Sequence, residues 1–255
     1  SKLGQNPYML GVLGSTDSHT ALSSAEEDNF HGKLATDSIP ANKQRRFTGE
    51  GPGSSGWAMS SSGMAAVWAE SNTREGILDA LQRREVYATT GPRIAVQFYG
   101  GSDFTEADLE SADLHALAAE RGVPMGGELV QAEPPSFLVL AAKDPKGANL
   151  DRIQVVKGWL GPDGKSHEKV FDVVWSDERE FGPDGRLPAV GNTVNLNTGE
   201  VDNSIGPTEL ATVWTDPEFK PQLSAFYYVR VLQIPTARHS LLDAIALGME
   251  HAADQ

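Results

Sequence analysis

Short apolar runs, rather than long amphipathic stretches, dominate this chain, and their texture changes near residue 91. Tyr8 to Leu13 is an apolar run bounded by Pro7 and Gly14, which predicts a buried strand delivering the chain to Gly14-Ser15-Thr16-Asp17-Ser18-His19-Thr20. From Ala21 to Gly63 there is little periodicity and much Gly, Ser, Asp and Lys, the composition of a long functional or disordered connection. Met64 to Ala69 predicts a second strand. Asn72 can then cap a helix to which Glu75 reaches back, and Ile77, Leu78 and Leu81 share one face of it. The helix ends near Arg83-Arg84-Glu85, and Val86 to Thr90 reads as a β-branched strand stopped by Gly91-Pro92.

Beyond Gly91, Ile94 to Tyr99, Ser136 to Ala142, Ile153 to Trp159, Val170 to Trp175, Leu210 to Trp214 and Ala225 to Ile234 are strand candidates separated by Pro, Gly and Asp turns. Antiparallel sandwiches have this pattern. Glu106 to Glu120 interrupts it with helical apolar spacing through Leu109, Leu114 and Leu117, and Leu241 to Met249 predicts a closing helix. Two units follow: an α/β segment over 1–93 and a mainly antiparallel β, sandwich-like domain over 94–255. Trp159, Trp175 and Trp214 fall inside strand candidates and are expected to fill the sandwich core.

Composition narrows the function classes. The formal charge of −14 argues against a general electrostatic grip on nucleic acid or anionic membrane, so small molecules or cations are the expected partners. With no cysteine, any metal must be held by oxygen and imidazole nitrogen. No stretch has the roughly 20 apolar residues of a membrane span, and no signal peptide is evident. The opening Ser1-Lys2-Leu3-Gly4 reads like an interior cut, so a fragment or processed product is expected. Localisation is not legible; a periplasmic or secreted parent protein is compatible with the composition.

Asp17 and His19 are one residue apart, so in extended backbone both side chains leave the same face and can converge on one ion or two adjacent ions. They lie just past the carboxyl end of an apolar run, where barrels and open α/β sheets expose functional loops. A carboxylate and an imidazole there suit zinc, manganese or iron. On spacing alone a bare Asp-x-His is a weak motif, and the plainer reading is that Asp17 stabilises a turn and His19 is a surface histidine.

The blocks Gly14-Ser15-Thr16-Asp17-Ser18-His19, Ala66-Val67-Trp68-Ala69-Glu70-Ser71-Asn72-Thr73-Arg74-Glu75 and Tyr87-Ala88-Thr89-Thr90-Gly91-Pro92-Arg93, in that order, resemble PHP-type (polymerase and histidinol phosphatase) proteins. More narrowly, with Glu27-Asp28-Asn29-Phe30, Gly191-Asn192-Thr193 and Tyr227 to Thr236, the whole chain is similar to the C-terminal part of the bacterial family known as domain of unknown function 3604. The resemblance implies that 1–93 is the closing part of a PHP-like metal-dependent hydrolase barrel, with Asp17 and His19 as ligands of a divalent metal. The histidine-rich motifs and acidic ligands of earlier strands have no counterpart here. The missing N-terminal part of the same protein is therefore an implied partner, and the fragment alone is expected to be inactive.

His31, twelve residues past His19, and Arg93, at the end of the α/β segment, are additional candidates, for ligation and for bridging to a carboxylate or substrate respectively; an exposed loop histidine and a structural arginine are the plainer readings. His115, His167, His239 and His251 show no mutual spacing that suggests a shared ion. Lys43, Arg45 and Arg46 could draw an anionic substrate, or simply be solvated. Gly51 to Gly56 lacks the Lys-Ser or Lys-Thr of a phosphate loop and reads as flexible backbone. The alternative function is a noncatalytic binding or structural module with a vestigial metal site.

Overall fold

The computed structural model describes residues 9–24, 26–34 and 63–250. The candidates Lys43, Arg45, Arg46, His251 and Gly51 to Gly56 lie outside these residues. Among the described residues, strands β1 (Met64–Val67) and β2 (Val86–Thr89) form a two-stranded antiparallel sheet joined by helix α1 (Arg74–Arg83). Thr73, not Asn72, caps α1, its hydroxyl accepting from the Gly76 N–H at 3.1 Å. The helix closes where Arg84 turns left-handed at φ 64°.

The predicted first strand is corrected. Met9 to Leu13 makes no ladder with any described strand, and Leu10 and Val12 are 75% and 71% exposed. The segment has no regular structure and runs beside the β1–β2 pair, its Met9 carbonyl accepting from Arg84 at 3.0 Å. With no sheet neighbour among the described residues, its apolar side chains stay in solvent.

The β-rich unit follows the predicted antiparallel plan. One sheet has the order β4 (Val123–Pro124), β3 (Ala95–Gly101), β5 (Ser136–Ala142), β8 (Glu209–Thr215); the other has β7 (Ser166–Trp175), β6 (Leu150–Leu160), β9 (Ala225–Gln233). Every pairing is antiparallel. Alternation does the sorting: Phe137, Val139 and Ala141 of β5 join Val96, Phe98, Leu150 and Ile153 in the core between the sheets, while Leu138 faces the other way onto Phe104 and Ala118. That second contact places a helical layer on the outer face of the four-stranded sheet.

The helical stretch predicted over Glu106 to Glu120 is split into a 3-10 turn (Glu106–Glu110) and helix α2 (Leu114–Arg121). Two capping residues compete within it. Thr105 and Asp108 form a closed capping box on the first piece, and Asp113 starts the second by accepting from Ala116 N–H. Arg121 ties the pieces together through Asp108 at 2.6 Å. Of the three tryptophans expected in the core, Trp214 packs there, whereas Trp159 stacks on His167 and Trp175 covers the Arg179–Phe181 turn. The closing helix α3 spans His239–Leu247.

Two features fix the loop before β8. The side-chain amide of Asn149, itself buried, donates to the carbonyls of Asn203, Ile205 and Gly206 at 3.2, 3.0 and 2.8 Å. Gly206, at φ 73°, passes so close to Leu150 that a Cβ would lie 2.5 Å from its carbonyl oxygen. Asn149→Ala strands several part-buried carbonyls, and urea unfolding should show a loss of about 1–3 kcal/mol; a loss below about 0.5 kcal/mol would mean the loop is not held this way.

The segment containing Asp17 is joined to the β-rich unit by polar contacts from the β1–β2 sheet. Trp68 donates from Nε1 to the Val96 carbonyl at 2.7 Å, and the Tyr87 hydroxyl donates to the Ile94 carbonyl at 3.0 Å while accepting from Val96 N–H. Burial is the main reason the Tyr87 phenol is held above its ordinary pKa.

Candidate metal-binding loop

Gly14 and Gly63 set where the loop crosses β1. A Cβ on Gly14 would sit 2.4 Å from the Met64 carbonyl oxygen, and one on Gly63 would sit 2.3 Å from the Ser15 carbonyl oxygen. Only two glycines permit this backbone-on-backbone approach. It carries Ser15 and Thr16 over the start of the strand.

From there a series of short side-chain turns shapes the loop. Ser15 Oγ accepts from Asp17 N–H, Thr16 Oγ1 from Ser18 N–H, and Thr20 Oγ1 from Leu22 N–H. Asp17 adopts φ 54°, a left-handed conformation that aspartate tolerates better than most residues and that clusters at functional sites. Its carboxylate is 68% exposed and lies 3.3 Å from the Lys33 ammonium.

His19 is exposed on the same loop, and its Nδ1 lies 2.9 Å from the Asp17 carbonyl oxygen. A carbonyl can only accept, so Nδ1 carries the proton and the Nε2 lone pair is available to a ligand. This arrangement, one ring nitrogen bonded to backbone and the other outward, is the usual way a metal-ligating histidine is oriented. The His19 amide donates to the Lys33 carbonyl at 2.8 Å, tying the loop to the stretch that follows it.

Asp17 and His19 are both exposed on this loop, but Asp17 at φ 54° is not in the extended backbone that the spacing assumed, and the contact between the two residues is through the Asp17 backbone carbonyl. They suit a borderline cation, but two donors do not complete a coordination shell, and among the described residues no group of three His, Asp or Glu side chains could hold an ion. His31 is exposed and turned onto its own neighbour, Nε2 lying 3.1 Å from Asn29 Oδ1. Arg93 bonds Glu26 at 2.7 Å, and its backbone N–H donates to Asp144 at 2.6 Å. Burial opposes the charge on Asp144, yet the N–H groups of Arg93 and Lys146 hold its pKa below the ordinary value. His115 is exposed, His167 pairs with Asp163, and His239 is buried at the start of α3.

Sequence reasoning missed Lys33. A lysine sixteen residues from its carboxylate carries no local signal. It also missed a buried group in the β-rich unit: Lys157 Nζ donates to Asp216 at 2.5 Å, and the same carboxylate oxygen accepts from the Tyr227 hydroxyl at 2.7 Å. Lys157 is visible in the sequence as the charge within the otherwise uncharged run Ile153 to Leu160.

No helix among the described residues is long and apolar enough to cross a membrane. No curated protein matches the chain, and no solved structure matches it. One family model does, over residues 1–255, and the chain belongs to that family, described as protein of unknown function (DUF3604).

Proposed function

We propose that the α/β segment contributes Asp17 and His19 to the site of a divalent-metal-dependent hydrolase, with a phosphate or other ester as the substrate class. The observation that carries this reading is the His19 ring: its Nδ1 lies 2.9 Å from the Asp17 carbonyl oxygen, and both the ring and the Asp17 carboxylate are exposed on the same loop. Zinc, manganese or iron suits this donor pair, and such a cation would supply Lewis acidity and a water of lowered pKa. The two residues would hold it; the further ligands would come from a PHP-like part of the protein outside this chain. The exposed apolar side chains of Met9 to Leu13 support that arrangement, because a strand-forming sequence left uncovered is a surface suited to more sheet.

A second reading, a noncatalytic binding module with a vestigial site, is favoured by Lys33, whose ammonium already neutralises the Asp17 carboxylate. The pair is exposed enough to be weak, so a divalent ion could displace it at little cost. Calorimetric titration with zinc and with manganese separates the two. The intact chain should bind at least about 10-fold more tightly than the Asp17→Ala/His19→Ala variant. Equal affinity in both proteins would leave the vestigial module as the better reading.

A further inference from the structure

Arg238 occupies the N-cap position of helix α3, its carbonyl accepting from the Leu241 and Leu242 N–H groups at 3.0 and 3.3 Å, and its side chain makes no cap bond. The cap comes from the other end of the chain. Glu27 Oε2 accepts from the His239 N–H at 2.7 Å, across 212 residues of sequence. A carboxylate at this position meets both the unpaired N–H groups and the positive end of the helix dipole.

Two neighbours of Glu27 are held as well. The Phe30 ring lies 4.2 Å from the His239 ring, and Glu26 pairs with Arg93 at 2.7 Å. Residues 26–30 are therefore fastened at three points to the β-rich unit and to the residue that leads into it. Three residues further on, the Lys33 carbonyl accepts from His19 N–H and the Lys33 ammonium meets Asp17. The connection runs from α3 through Glu27 and Phe30 to Lys33, and from Lys33 to both candidate ligands.

We propose that Glu27 is a positioning residue and that α3 is the anchor of the metal-binding loop, so that docking of the C-terminal helix sets where Asp17 and His19 stand. The functional importance of this rests on the metal reading above; the mechanical coupling does not. It gives the β-rich half a role that its sequence does not disclose, as the fixture against which the loop is held.

The test uses the full chain and two substitutions. Glu27→Ala removes the acceptor; Glu27→Gln keeps an acceptor oxygen and removes only the charge. Amide hydrogen exchange is read at His19, whose N–H bonds Lys33, and at Val155 in the core of β6 as an internal control. In Glu27→Ala the His19 amide should exchange about 10-fold faster while Val155 is unchanged, and Glu27→Gln should restore most of the protection. Unaltered exchange at His19 in Glu27→Ala would overturn the proposal, and so would equal acceleration at both amides, which would mean global destabilisation. A zinc titration of the same proteins keeps the two ideas apart: zinc binding absent from the unsubstituted chain counts against the metal reading alone, whereas zinc binding that survives Glu27→Ala undiminished counts against positioning.

Discussion

Replacing Asp216 by alanine should destabilise the β-rich unit by about 3–5 kcal/mol, because it leaves the Lys157 ammonium buried without its counter-charge. Lys157 and Asp216 are 6% and 1% exposed. The carboxylate takes the Lys157 and Tyr227 donors on one oxygen and the Glu218 N–H on the other, so one side chain satisfies groups from β6, β9 and the turn after β8. Lys157 also donates to the Glu218 carbonyl at 2.8 Å, which cannot replace the lost charge. Urea unfolding followed by tryptophan fluorescence measures the change. A loss under about 1 kcal/mol would show that water reaches the ammonium. The paired replacement Lys157→Met/Asp216→Leu should recover most of the loss, since a desolvated ion pair is worth little more than apolar side chains of similar volume.

The same group gives a pH dependence. Burial, then the bond to Asp216, raises the Tyr227 phenol well above its ordinary 10.0. The folded protein therefore keeps this proton where the unfolded chain has lost it. The contribution is complete below pH 10 and declines as pH rises above it. Tyr227→Phe should remove that part of the alkaline decline.

Phe137→Ala is the second large effect, expected to cost about 3–5 kcal/mol. Phe137 is 5% exposed and sits where aromatic rings of both sheets meet: Phe98 at 5.1 Å and Trp214 at 6.0 Å on its own sheet, Tyr227 at 4.6 Å on the other. Removing the ring opens a cavity that none of these can fill without leaving its own neighbours. The readout is the urea midpoint, with the slope unchanged if only stability has moved. A change below about 1.5 kcal/mol would mean that the sheets close over the gap.

Phe137 also shows why the β-rich half was legible. Ser136 to Ala142 reads as a continuous apolar run because β5 is covered on both faces, by the core between the sheets and by Phe104 and Ala118. The ends were less legible, because ladder bonds carried β6 and β7 beyond their apolar runs, to Leu150–Leu160 and Ser166–Trp175. Met9 to Leu13 misled for the opposite reason: its residues have strand character, but a strand exists only where a neighbour pairs with it. Asp17 and His19 could be singled out as candidates from spacing and resemblance. Lys33, Glu27 and Asp216 could not, because each acts through a partner made adjacent only by folding.

The most direct test of the metal reading is the long-range proton–nitrogen NMR spectrum of the His19 ring, recorded with and without zinc. The account expects the Nε2 resonance to move on zinc addition while Nδ1 remains protonated on the Asp17 carbonyl, with the movement abolished in Asp17→Ala. A His19 ring whose nitrogens do not respond to zinc, or respond no more than those of exposed His115, would contradict it.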